Sequence, residues 1–188
     1  MTPTDRVLNA SLYFAPVLYL LADVLYALNG WSDPTAGAVH VVAATAYGFL
    51  LVRALAWTGG RTEAALLVVG MLGLAGNVGY GFNTIHVSLG DTDLVDATGA
   101  ATIIKPLGLL FPLTLLIIAW VLRRRPVAAA LIGVAGLAWP VAHIADIAWL
   151  AVLVNVLLVA GFALCATRGV SRAVAPVPAT ASPSPRTP

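Results

Sequence analysis

Six times this chain runs through an apolar stretch long enough to cross a bilayer, then breaks at turn-forming or charged residues. About 20 predominantly apolar residues suffice for one crossing. The stretches cover residues 10–28, 36–57, 64–90, 102–122, 126–144 and 147–167. They are separated by Asn29-Gly30-Trp31-Ser32-Asp33-Pro34, by Thr58-Gly59-Gly60-Arg61, by an acidic loop over 91–101, by Arg123-Arg124-Arg125 and by a few residues around Asp146. Backbone groups in hydrocarbon must find their hydrogen bonds within the segment, which leaves the helix as the economical form for each span. The fold class expected is therefore all-α, a polytopic membrane bundle of six transmembrane helices. Its predicted parts are a short cytoplasmic N-terminus over 1–9, a six-helix domain over 10–167, and a disordered cytoplasmic tail over 168–188. That tail is rich in Pro, Ser, Ala and Thr, and it has too little apolar surface to offset its ordering entropy. The first span lacks the small-residue cleavage pattern of a removable signal peptide and is expected to stay as an anchor.

With 60% hydrophobic and 10% charged residues in 188, the spans use nearly the whole chain. Any chemistry then belongs to the helices and their short loops. The charges are distributed unevenly: Arg6, Arg53, Arg61, Arg123, Arg124, Arg125, Arg168, Arg172 and Arg186 fall on the side of the termini, against Lys105 alone on the other. By the positive-inside rule both termini are expected in the cytoplasm and the protein in the cell membrane. The cations gather at span ends without forming a stripe, which argues against nucleic acid as a partner. The expected partners are the lipid bilayer, a small-molecule ligand, and a second copy or a membrane complex. Heavy use of Ala, Val, Gly and Arg suits a GC-rich bacterial genome. Cys165 is the only cysteine, so neither an intramolecular disulfide nor a cysteine metal cluster can form.

The span over 64–90 is the most polar of the six. It carries Asn77, Tyr80, Asn83, Thr84, His86 and Ser88 on a backbone thinned by Gly70, Gly73, Gly76, Gly79 and Gly81. Amides are penalised by lipid and satisfied by neighbouring helices, so this span is expected inside the bundle, with the glycines admitting close packing. They recur every third residue and so drift around the helix without forming one strict face. Asn77, Asn83 and Asn155 read first as amides that bridge helices. Leu12-Tyr13-Phe14-Ala15-Pro16 and Leu109-Leu110-Phe111-Pro112 share a faint pattern, which raises an inverted three-plus-three repeat as an architecture.

Asp23 is the most unusual residue, a carboxylate within the first span, where insertion costs on the order of 2 to 3 kcal/mol or more. Tyr19 and Tyr26 flank it at helical spacing and make a Tyr-Asp-Tyr stripe that should face protein or water. Lys105, the only cation expected at that end, is the predicted counter-charge. Tyr19, Asp23, Asn83 and Lys105 are accordingly the candidate substrate-binding residues. His40, His86 and His143 fall at similar depth near the end opposite the termini, and Asp146 follows His143 by one turn. Imidazole and carboxylate suit a divalent metal, and paired histidines suit haem. Both stand beside the plainer reading that each histidine hydrogen-bonds at a helix end.

The function expected is binding or transport of a small solute, ion or metal through an outward-facing pocket between helices. Alternatives are a membrane-embedded enzyme on an isoprenoid or quinone-like substrate, with Asp23 or a histidine as catalytic acid and base, and a haem-binding or accessory subunit of a membrane complex. No nucleophile elbow, zincin, phosphate-loop or C-x-x-C motif occurs.

Overall fold

A computed structural model describes residues 1–166. The tail expected over 168–188, with its three arginines, lies outside the described residues. The elements are α1 (Pro3–Asn29), α2 (Pro34–Leu55), α3 (Gly60–Ser88), α4 (Ile104–Val121, entered through a 3-10 turn over Gly99–Ile103), α5 (Pro126–Ile144) and α6 (Ala148–Ala166). All six are long and apolar enough to span a membrane, and no strand occurs among the described residues. α1 starts before the expected polar N-terminus has ended. The Thr2 side chain accepts from the Asp5 amide while the Asp5 carboxylate accepts from the Thr2 amide, and Pro3 sits where its missing N–H costs nothing. Asp33 caps α2 in a related way by accepting from the Ala36 amide at 2.9 Å, with Pro34 at the first helical position.

Each helix packs against its predecessor, and α6 returns to pack against α1, so the six form a closed ring in chain order. The polarity of the ring is reversed relative to a water-soluble domain. Asp23, His40, Asn77, Asn83, Thr84 and Asn155 are buried, while Val42, Phe49, Val68, Met71, Leu113, Leu137 and Leu153 stand on the outside. An apolar exterior of this extent belongs against lipid or other protein. These features are those of a multi-pass membrane protein.

α1 and α4 stand opposite one another in the ring, each carrying a buried proline, Pro16 and Pro112. Across the middle, the Tyr19 ring stacks on Phe111 with centroids 5.3 Å apart. Tyr47 from α2 sets its edge against both, Trp139 from α5 meets Phe111 at 5.6 Å, and Phe162 from α6 meets Tyr47 at 6.2 Å. These rings plug the centre. From there toward the termini the described residues pack a continuous apolar core, and a cavity opens toward the opposite end, called distal below.

α3 seals against α4 through glycine. A methyl group at Gly73 would lie 2.6 Å from the Phe111 nitrogen, and one at Gly76 would fall on the backbone of Leu107 and Gly108. Gly70 and Gly81 instead face Leu51 and Val41 of α2. The glycine ridge thus divides between two neighbours, as its drift around the helix requires.

Candidate functional site

α1 supplies the hub of the interior, because Tyr19, Asp23 and Tyr26 recur at helical spacing and all three point into the ring. The Tyr19 hydroxyl donates to Asn77 Oδ1 at 2.6 Å and lies 3.0 Å from His40 Nε2. The proton positions follow from valence. The Asn77 amide nitrogen donates to the carbonyls of Gly73, at 2.9 Å, and of Gly108, at 3.4 Å, so its oxygen is the acceptor facing Tyr19. Tyr19 spends its only proton there, and His40 must therefore donate through Nε2, leaving Nδ1 as an unpartnered acceptor. Gly108 can receive Asn77 because Pro112, one turn on, has no N–H to claim that carbonyl. One chain of bonds thereby ties α1, α2, α3 and α4.

Asp23 faces the other way. It is fully buried, and its Oδ2 accepts from Asn155 Nδ2 of α6 at 2.6 Å. Its Oδ1 lies 3.7 Å from His143 Nε2 of α5 and has no hydrogen-bond partner. His143 Nδ1 is 3.0 Å from the Trp139 carbonyl, which can only accept, so Nδ1 carries hydrogen. Its ring also stacks on Trp139 at 3.9 Å, and the Trp31 ring closes over it at 5.7 Å. With Nδ1 committed, a neutral His143 would aim the Nε2 lone pair at a carboxylate oxygen. One proton between them, on nitrogen or on oxygen, removes that repulsion.

Above this pair a cavity of about 450 Å³ opens at the distal end. Asn77, Gly108, Trp139 and His143 belong to its deep part, Tyr80, Asn83 and Thr84 come from α3, and Trp31, Asp93, Asp96, Lys105 and Asp146 lie around its mouth. Its outer loop is held by Asn83, whose amide donates to Asp93 Oδ1 at 2.9 Å and whose oxygen accepts from the Leu94 amide at 2.7 Å. Trp31 fixes the opposite wall by stacking on Tyr26 and donating through Nε1 to the Asp146 carbonyl at 3.2 Å. Asp146 itself holds a left-handed φ of 54°, which turns the chain from α5 into α6.

The sequence-predicted residues divide accordingly. Asp23 and His143 come together, as do Tyr19 and His40, while Asn83, Lys105 and Asp146 reach the cavity. Lys105 does not pair with Asp23. It is held at the surface by Asp96, nine residues before it, whereas Asp23 lies below the cavity floor with partners from α5 and α6. His86 stays half-exposed and pairs with Asp91 at 3.4 Å. The three histidines do not converge, and among the described residues no three His, Cys, Asp or Glu side chains form a metal-sized group. Bis-histidine ligation of haem has no support in this geometry, since His40 and His143 turn their Nε2 atoms to Tyr19 and Asp23. Sequence reasoning left Trp31, Trp139 and Tyr80 out of the site and gave Asn155 only a packing role. The four-residue step from Trp139 to His143 was the available signal, because it stacks one ring on the other along a helix face.

No family model, curated protein or solved structure matches this chain.

Proposed function

We propose that this is a multi-pass membrane protein that binds a small solute in the distal cavity, above a buried carboxylate–imidazole pair that holds one proton. The observation that carries the reading is the placement of His143, which belongs to the cavity lining and faces Asp23 with Nε2. A solute on the cavity floor and a proton on the pair are therefore neighbours. The volume lies within the range of about 300 to 1,000 Å³ common for small-molecule sites, and the lining combines aromatic walls with a few polar groups. Buried acids within membrane spans mark proton, ion or substrate pathways by default. The aromatic plug formed by Tyr19, Tyr47 and Phe111 closes the route toward the termini, so the geometry corresponds to a cavity open at one end. Release to the opposite side would require those rings to part, as in alternating access.

The arginines at the terminal end favour cytoplasmic termini, and with them an extracytoplasmic cavity mouth. The test is a ligand titration of detergent-purified protein followed by tryptophan fluorescence, since Trp31 and Trp139 line the cavity. Benzylammonium, benzyl alcohol and benzoate present one apolar body with charge +1, 0 and −1. Saturable quenching by any of the three, lost in a Trp31→Ala variant that still folds, supports the reading. No saturable response to any of them overturns it.

A further inference from the structure

We infer that the cavity takes a compact organic cation, a protonated amine on an apolar body, in exchange for the proton of the Asp23–His143 pair. The inference rests on the cavity being a ligand site, as proposed above, and three independent observations carry it. First, Asp93, Asp96 and Asp146 line the cavity against one cation, Lys105, which Asp96 already engages. The remaining carboxylates leave a negative potential at the mouth that attracts cations and repels anions. Second, Trp31, Tyr80 and Trp139 supply aromatic walls, which receive a cation on their faces and its apolar body by contact. A metal ion would leave those walls unused, and the described residues offer no three-ligand group for one.

Third, the Asp23–His143 pair beside the floor has two facing acceptor atoms and no donor between them. His143 is 6% exposed, its Nε2 and the facing Asp23 Oδ1 both lack a hydrogen-bond partner, and its Nδ1 is already committed to Trp139. Such a pair is satisfied by a positive charge, either a proton on the pair or a cation beside it. Both together place like charges side by side in a low-dielectric interior, so arrival of one drives off the other. The exchange balances: one ammonium enters, one proton leaves to water, and the Asp23 carboxylate stays compensated. From the packed elements, α1 and α2 present Tyr19, Tyr26, Tyr47 and a His40 committed to Tyr19, α3 presents Tyr80 and α6 presents Asn155, while the charged Lys105 of α4 and Asp146 after α5 stand at the cavity mouth. Phenols are ordinarily neutral at pH 7.

The test uses the purified full chain in weakly buffered detergent solution at pH 7, with a pH-indicator dye, titrated with benzylammonium, benzyl alcohol and benzoate. Benzylammonium should bind at least tenfold tighter than benzoate and release close to one proton per molecule bound. In Asp23→Asn the release should vanish. Asp146→Asn, at the exposed mouth, should weaken benzylammonium several-fold while retaining proton release. Binding of benzyl alcohol or benzoate in preference to benzylammonium overturns the cation inference and leaves the ligand site standing. Benzylammonium binding without proton release overturns the exchange, and no binding by any of the three removes the ligand site itself.

Discussion

Asp23 Oδ1 and His143 Nε2 face each other across the interior at 3.7 Å, both closed off from water and both without another partner. The remaining atoms of the two side chains are fixed, Asp23 Oδ2 by Asn155 and His143 Nδ1 by the Trp139 carbonyl.

Replacement of Asp23 separates its charge from its hydrogen bonds. In Asp23→Asn the side-chain oxygen can still accept from Asn155, and the new amide nitrogen can donate to His143 Nε2. Stability should therefore stay within about 1 kcal/mol of the parent. Asp23→Ala leaves one Asn155 N–H and His143 Nε2 without a partner in the interior, although Asn155 keeps Ala151 and His143 keeps Trp139, and should cost roughly 3 to 5 kcal/mol. Thermal unfolding in detergent distinguishes the two. Equal losses would mean that the carboxylate charge, which both variants remove, and not its hydrogen bonds or volume, carries the stabilisation.

The hydrogen-bond chain from His40 through Tyr19 to Asn77 should behave as one unit. Asn77→Ala removes the acceptor of the Tyr19 hydroxyl and the donor to Gly108, leaving buried groups unpaired at about 1 to 3 kcal/mol. Tyr19→Phe keeps the stack on Phe111 and strands only His40 Nε2 and Asn77 Oδ1. The double variant should lose less than the sum of the two, by about 0.5 to 3 kcal/mol, because the shared bond is removed once. Strict additivity in unfolding measurements would refute the coupling.

The spans and the Tyr-Asp-Tyr stripe were legible in the sequence because both depend on local periodicity. The partners of Asp23 were not, since Asn155 and His143 reach it only when α6 closes on α1 and α5 lies alongside α6. Lys105 was the obvious cation by charge alone, but Asp96 is near it in sequence and engages it in the loop, while Asp23 lies deeper. The span over 64–90 is the most polar of the six without being the hub. Its polarity serves several neighbours, with Asn77 joining α1 and α4 and Asn83 holding the loop after α3. The hub is instead α1, whose Tyr19, Asp23 and Tyr26 meet polar partners on four of the other helices and, through the Tyr19 ring, Phe111 on the fifth.

The orientation in the membrane can be measured with one thiol at a time, because Cys165 is the only cysteine and is buried. On a Cys165→Ser background, Thr92→Cys places a thiol in the exposed distal loop and Gly59→Cys places one in the exposed turn at the terminal end. A membrane-impermeant maleimide should label Thr92→Cys in intact cells, and Gly59→Cys only after permeabilisation. The reverse pattern would put the cavity mouth in the cytoplasm and contradict the arginine bias.

The glycine contact between α3 and α4 should set the stability of the whole ring. At Gly76 any side chain meets the backbone of Leu107 and Gly108, which cannot rotate away as a side chain would. The helices must then separate, and that also lengthens the already long bond from Asn77 to the Gly108 carbonyl. Gly76→Val should therefore cost about 1 to 3 kcal/mol or more, at the overpacking scale, and widen the cavity floor. Gly79 on the same helix has open space around its α-carbon, so Gly79→Ala should be neutral or slightly stabilising through helix propensity. Unfolding midpoints of the two variants, measured side by side, separate packing from a general need for flexible glycine in α3. If Gly79→Ala were as damaging as Gly76→Val, flexibility and not close approach would be what the glycines provide.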